Sequence, residues 1–280
     1  MHPIVDSQVH IWGANIPERP WPTNHHPPHR PIPFSMGDLL GEMDRAGVRR
    51  VVIVPPSWEG FRNDLALEAA RRHPDRFGVM GLIDTSLPAS RGLMAAWRRQ
   101  PGMLGVRLIF ARPHLRPILS EGRAEWLWEE AEREGVPIML LIDPEQAGLV
   151  EGIAERHPGL RLVLDHLCIP ARAKDDEAFQ GLDKVLALAR RPNVAVKATA
   201  LPRYSTEPYP YRNLQPHLRR VYDAFGPRRV FWGSDLTSLP CSYSQAIAMF
   251  TETIPWLTAG DKEWIMGRAV CEWLGWPLES

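Results

Sequence analysis

A chain of 280 residues with 44% hydrophobic and 24% charged side chains has ordinary globular composition and enough apolar material for a large core. Its 33 basic and 33 acidic side chains cancel, which excludes the charge bias of a protein that binds nucleic acid or an anionic membrane. Three scattered cysteines (Cys168, Cys241, Cys271) are poor material for a disulfide framework or a zinc cluster and fit a reducing compartment.

The chain opens with MHPIVDSQVHIWG, which lacks the basic and apolar regions of a secretory signal. No apolar run approaches the ~20 residues of a membrane span, so a cytoplasmic location is expected. The first apolar run is Pro3–Val9. Seven more follow: Arg50–Val54, Gly78–Ile83, Leu104–Ile109, Val136–Ile142, Arg161–Leu164, Asn193–Lys197 and Arg229–Trp232. Each is near-continuously hydrophobic, as expected of strands buried on both faces. Helical patterns separate them: Gly37–Ala46, Arg62–Arg72, Arg91–Arg99, Ala124–Glu134, Glu145–Arg156, Ala178–Arg190 and Leu214–Phe225. Eight strand–helix units predict a single (β/α)₈ barrel domain over residues 1–280. A doubly wound sheet would want a glycine-rich phosphate loop after its first strand, and there is none.

Two stretches break the rhythm. Ile11–Phe34 carries seven prolines, two tryptophans and His25, His26 and His29, and it is expected to form the first loop on the catalytic face. It reads as a stiff lid or pocket wall, with Trp12 a candidate substrate contact, or as a proline-rich surface loop. Its HHxxH cluster reads as solvated. Leu201–Arg212 follows the seventh strand and offers further pocket residues, and the helix Asp261–Leu274 is expected to pack across the barrel.

In such barrels chemistry sits at the C-terminal ends of the strands. A period of two places Asp6, Gln8 and His10 on the same side of strand one, pointing inward. Strand four carries Arg107, strand five ends at Asp143, strand six at Asp165-His166, strand seven at Lys197 and strand eight at Ser234-Asp235. So many buried charges are costly unless they are paired or used. Asp143, before Pro144, is expected to cap the following helix, and Asp6 reads as structural. No GxSxG elbow and no His-paired cysteine points to a serine or cysteine nucleophile.

These segments resemble the amidohydrolase superfamily, in its "amidohydrolase 2" branch of lactonases, hydratases and nonoxidative decarboxylases. DSQVH (Asp6–His10) is similar to the DxHxH signature. GVR (Gly105–Arg107), LDHL (Leu164–Leu167), VAVK (Val194–Lys197), FWGSD (Phe231–Asp235) and MGRAVCEWLG (Met266–Gly275) match in order and spacing. The chain departs from the pattern where the first histidine of the signature is Gln8, and where the fifth strand reads MLLID without a metal-binding histidine. The resemblance therefore implies a metal-independent lactonase, similar to those opening 2-pyrone-4,6-dicarboxylate and sugar lactones, with no cofactor. If zinc or another divalent metal is bound after all, His10, His166 and Asp235 are its expected ligands.

The chemistry expected without metal has Asp235 as general base toward water, its pKa raised by burial. His10 and His166 would hydrogen-bond the carbonyl oxygen and stabilise the oxyanion. Arg107 suits a bidentate grip on a substrate carboxylate, with Gln8 and Trp12 as further contacts. Lys197 either helps that grip or pairs with Asp6 or Asp165. The expected partner is a small carboxylate. Homo-oligomerisation is left open. Two other functions fit the same residues: a zinc-dependent decarboxylase or hydratase acting on an aromatic or unsaturated acid, and a non-catalytic binder of small carboxylates.

Overall fold

Eight parallel strands form one sheet, in chain order, in a computed structural model that describes residues 3–23, 25, 27–276 and 278. They are β1 (Ile4–Val9), β2 (Val48–Ile53), β3 (Phe77–Leu82), β4 (Met103–Ile109), β5 (Ile138–Leu141), β6 (Leu162–Leu164), β7 (Val194–Thr199) and β8 (Val230–Gly233). Each neighbouring pair from β1–β2 to β7–β8 is hydrogen-bonded in parallel register. The expected (β/α)₈ barrel is therefore present, and the β-branched, polar-poor strands explain it, because almost every strand residue is buried. Among the described residues no helix is long and apolar enough to cross a membrane.

Several helices are shorter than their apolar periodicity suggests. The stretch expected over 91–99 is helical only at Met94–Trp97, because Gly92 has φ 82° and its N–H donates to Glu130 at 2.9 Å instead of entering a helix. The stretch 178–190 breaks at Gly181, where any Cβ would lie 2.5 Å from the Pro144 ring. The C-terminal helix is divided into Ala259–Glu263, a π turn at Trp264–Arg268 and Ala269–Leu274. Two helices, Arg116–Ser120 and Tyr243–Thr251, are additional to those expected. The start of the second is marked in the sequence by Ser242 and Gln245, which form a reciprocal capping box.

One end of the barrel is plugged by hydrocarbon. Every strand contributes one residue to a cluster of Val5, Val52, Met80, Leu104, Met139, Val163, Ala195 and Phe231. Ala269, Val270, Cys271 and Leu274 of the last helix complete it. Each large aliphatic side chain buried there contributes about 1.5–3 kcal/mol. With that end filled, only the C-terminal ends of the strands remain for a site.

The seam between β8 and β1 is made differently from the other seven. Asp6 is fully buried and its carboxylate bridges it: Oδ1 accepts from Gln8 N and Ser234 N, both at 2.9 Å. Oδ2 accepts from the Ser234 hydroxyl and, at 2.6 Å, from the Tyr243 hydroxyl. A register shift between Asp6 and Val9 lets Asp6 turn to this seam while Gln8 bonds to His10 and Lys197. The strict alternation expected for Asp6, Gln8 and His10 is thus broken. The structural reading of Asp6 fits these bonds.

Burial raises the Asp6 pKa to about 6 against the pull of its hydrogen bonds. A folded-state pKa above the unfolded one means that the native protein binds the proton more tightly, so this group favours folding at low pH. That contribution falls as pH rises through the window from about 4 to about 6. Asp6→Ala, which strands four donors, is expected to lower unfolding free energy by about 2–4 kcal/mol. Asp6→Asn keeps an acceptor for the two N–H groups and can donate to the hydroxyls. Denaturant unfolding across pH should show wild type losing roughly 2 kcal/mol relative to Asp6→Asn between those pH values. A constant difference would mean that Asp6 is not the titrating group.

Candidate active site

Residues just beyond the ends of three strands sit in left-handed backbone. His166, Leu167 and Cys168 have φ of 52°, 52° and 56° after β6, Ala200 has 58° after β7, and Asp235 has 51° after β8. For L residues this conformation costs on the order of 1 kcal/mol each. It turns His166 and Asp235 sharply off their strands into the barrel mouth. There they line a cavity of about 800 Å³ together with His10, His29, Trp58 and Arg107.

Beneath the cavity lies a polar layer. Lys197 and Asp165 are fully buried and paired at 2.9 Å, and Asp165 also takes the Arg107 Nε at 3.1 Å. Burial alone would raise the Asp165 carboxyl, but Lys197 and Arg107 hold it below the usual range. Lys197 also donates to Gln8 Oε1. This fixes the amide so that its NH₂ faces His10 Nε2, 3.3 Å away. Gln8 and Lys197 were expected to contact substrate. The structure puts both under the floor, with no surface in the cavity, where they orient the groups above.

His10 donates from Nδ1 to the Val54 carbonyl at 2.6 Å, since a carbonyl oxygen only accepts. Burial pushes its pKa down to about 3, so at neutral pH the ring is uncharged and Nε2 carries a lone pair. That tautomer cannot donate to a substrate carbonyl. The expected oxyanion role of His10 is therefore corrected to that of an acceptor. His166, pushed by burial to about 4, is also neutral, and its Nδ1 lies 2.7 Å from the Thr199 hydroxyl. With the hydroxyl donating, Nε2–H is left as a donor in the cavity.

Asp235 is 3% exposed, and its Oδ1 has no hydrogen-bond partner among the described residues. It lies 3.4 Å from His10 Nε2 and 4.0 Å from His29 Nδ1. Its Oδ2 accepts from Ser238 at 2.7 Å. Burial raises its pKa, as expected, but the charge that His10, His29 and His166 carry when protonated outweighs burial, and the net shift is downward. The expected elevated pKa is thus corrected. Asp235 is a carboxylate throughout the neutral range.

Two site residues escaped the sequence reading. His29 comes from the proline-rich segment and reaches Thr237 Oγ1 at 2.9 Å, while Arg30 beside it donates to the Thr237 carbonyl. It is not solvated as expected of that cluster. His25 lines a neighbouring cavity, and His26 lies outside the described residues. The second is Trp58, whose ring is 5.5 Å from that of His10 and which lines the cavity in place of Trp12. Trp12 is 1% exposed, packs edge-on against Trp58 at 5.3 Å, and does not line this cavity. Asp143 takes an ion pair from Arg116 and its backbone N–H donates to Gln146 Oε1 at 3.0 Å at the start of the next helix.

His10, His29 and Asp235 each offer a ligand atom, all within 4.8 Å of one another. Two imidazoles, a carboxylate and an orphaned Oδ1 suit a divalent ion such as zinc. The third residue of this group is His29, where His166 was expected. Gln8 cannot serve as a fourth ligand, because its oxygen is held by Lys197.

The amidohydrolase family profile matches residues 5–275. The chain belongs to the amidohydrolase family. It is 28% identical over 246 residues to an L-fucono-1,5-lactonase of Burkholderia ambifaria, a match covering 82% of this chain and 79% of the relative. An amidohydrolase from Burkholderia multivorans, solved with bound zinc, superimposes with a TM-score of 0.81 at 21% identity, covering 98% of this chain and all of the other. A Pseudomonas putida protein assigned as 2-pyrone-4,6-dicarboxylic acid hydrolase superimposes at 0.80 with 22% identity over the full length of both chains. This amidohydrolase is thus an enzyme of the hydrolase class, with lactonases among its relatives.

Equilibrium dialysis against zinc should reveal a site weakened roughly tenfold or more by His29→Ala. His166→Ala should leave it within about twofold. Equal losses would return His166 to the ligand set.

Proposed function

We propose that this amidohydrolase opens a lactone or related cyclic ester of a small carboxylated compound, with Asp235 activating water and no metal required for turnover. The observation that carries this reading is the unpartnered, ionised Oδ1 of Asp235 set 3.4 Å from the His10 Nε2 lone pair. An acceptor so placed takes one hydrogen of a water and leaves the water oxygen facing the cavity, while the His10 lone pair is engaged by the Gln8 NH₂. The lactonase relative supports the ester class, and the chemistry of the walls supports an anionic substrate. Arg107, Arg112, Arg172 and Arg203 line the cavity against only Asp143 and Asp235.

In this scheme the water oxygen bonds to the ester carbonyl carbon as its proton passes to Asp235. The His166 Nε2–H stabilises the negative charge that develops on the carbonyl oxygen. The ring C–O bond then breaks, and the alkoxide takes the proton back from Asp235, which restores the carboxylate. Arg107 spends only its Nε on Asp165, so its terminal nitrogens are available for a substrate carboxylate. His10, His29 and Asp235 would hold a divalent ion where one binds, and such an ion would polarise the carbonyl or acidify water. What argues against a need for it is Gln8, which ties up its own oxygen on Lys197 and aims its NH₂ at the very nitrogen a metal would use.

Asp235→Asn should lower kcat on a carboxylated lactone by roughly 10³-fold with KM little changed. Enzyme stripped by chelator should retain its wild-type rate. If stripping abolishes turnover and zinc restores it, the metal-free scheme is wrong and the decarboxylase or hydratase reading gains. If Asp235→Asn turns over normally, Asp235 is not the base.

A further inference from the structure

A second cavity of about 290 Å³ adjoins the first. The two share Ser57, Arg107, Arg112 and His114 as lining residues, so the arginines stand on the boundary between them. The walls differ in kind. The main cavity is lined by imidazoles, arginines and carboxylates. The second is walled largely by apolar side chains, among them Phe61, Leu82, Ile109, Leu115 and Ile118. Its single carboxylate, Asp84, is taken up by the Ser86 hydroxyl at 2.6 Å and the Ser86 N–H at 3.0 Å.

At the boundary Arg107 is paired with Asp165, whereas the charge of Arg112 is left uncompensated among the described residues. Arg112 donates to the Ser57 hydroxyl, and no acidic side chain among the described residues lies within ion-pair distance of it. Burial and the nearby Arg107 both disfavour its charge. A half-buried guanidinium beside another guanidinium, with no acid to neutralise it, is a place for an anion that arrives with the ligand. On the far side of that anion the apolar cavity has no polar task left, and burying hydrocarbon there is favourable at about 25 cal/mol per Å². Its size is near the lower end of cavities that hold small molecules, about 300–1,000 Å³.

We infer that this second cavity is a substrate subsite, and that the physiological lactone carries an apolar substituent of ring size next to its carboxylate. Arg112 and Arg107 hold the carboxylate at the boundary, the ester faces Asp235 in the main cavity, and the apolar group fills the space between Phe61, Leu115 and Ile118. The inference rests on the proposed lactone hydrolysis for its account of the reacting end, but the subsite itself is a binding property. It narrows the substrate away from compact, fully hydroxylated sugar lactones, which would leave that cavity unfilled.

Calorimetric titration of the full chain with acetate and with 4-phenylbutyrate tests the subsite without turnover. Phenylbutyrate should bind at least about tenfold more tightly than acetate in wild type. Leu115→Trp, which fills the cavity, should reduce that advantage to less than about threefold while acetate affinity stays unchanged. Phe61→Asn, at a position 47% exposed and so tolerant of change, should erode the same advantage in a folded protein should Leu115→Trp fail to fold. Arg112→Gln should weaken both ligands. Equal binding of the two carboxylates, or an advantage that survives both wall substitutions, would overturn the subsite. Turnover of plain and phenyl-substituted carboxylated δ-lactones is then measured separately. No hydrolysis of either, with the binding preference intact, would sink the hydrolase reading and leave the subsite standing.

Discussion

The ammonium of Lys197 lies inside the barrel with no exposure to water, and the arrangement of the site follows from how that charge is accommodated. An uncompensated ion there would be prohibitive, so Asp165 at 2.9 Å must be ionised alongside it. Asp165 in turn fixes Arg107 through Nε and leaves the fork of that guanidinium for the cavity above. Gln8 accepts the other Lys197 bond, which decides which way its amide points and hence what His10 meets at Nε2. One buried cation therefore sets the orientation of a carboxylate, an arginine, an amide and, through the amide, a histidine. None of these is free to turn without leaving a charge or donor unpaired.

The energetic source of this precision is the packed barrel beneath it. The apolar plug and the Asp6 seam hold β8 against β1, and Asp235 N–H donates to the Gln8 carbonyl at 2.9 Å across the same seam. With the strands locked, their ends can be driven into left-handed backbone at His166, Ala200 and Asp235. Such strain, about 1–3 kcal/mol per residue, persists only where the surroundings over-determine the conformation. It is also why His166 and Asp235 both face the cavity: a strand that ran on would have carried them out past it.

The barrel could be read from the sequence because its signal is local and repeated. A strand buried on both faces must be apolar throughout, and eight such runs separated by helical periodicity leave few architectures. The strand-end residues His10, Arg107, His166 and Asp235 could be read for the same reason, since a strand end has a fixed place in the barrel. His29 could not. It sits on a segment without period, and its approach to Asp235 depends on tertiary anchors such as Arg19, which binds Glu59 and Asp64, and Arg30 on Thr237. Trp12 was misplaced because it was read as part of a loop wall, whereas it is buried behind Trp58. The downward shift of Asp235 was hidden because it needs three histidines from separate segments around one carboxylate.

The exchange of histidine for Gln8 changes more than a ligand count. A histidine at that position could turn a ring lone pair toward a metal shared with His10, whereas an amide NH₂ cannot. Glutamine carries an acceptor and a donor on one planar group, so it can satisfy Lys197 on one side and His10 on the other with no ion present. The amide thus fills, in hydrogen bonds, part of the role that a metal fills in electrostatics. It keeps His10 oriented and leaves Asp235 as the carboxylate that faces the cavity among His10, His29 and His166.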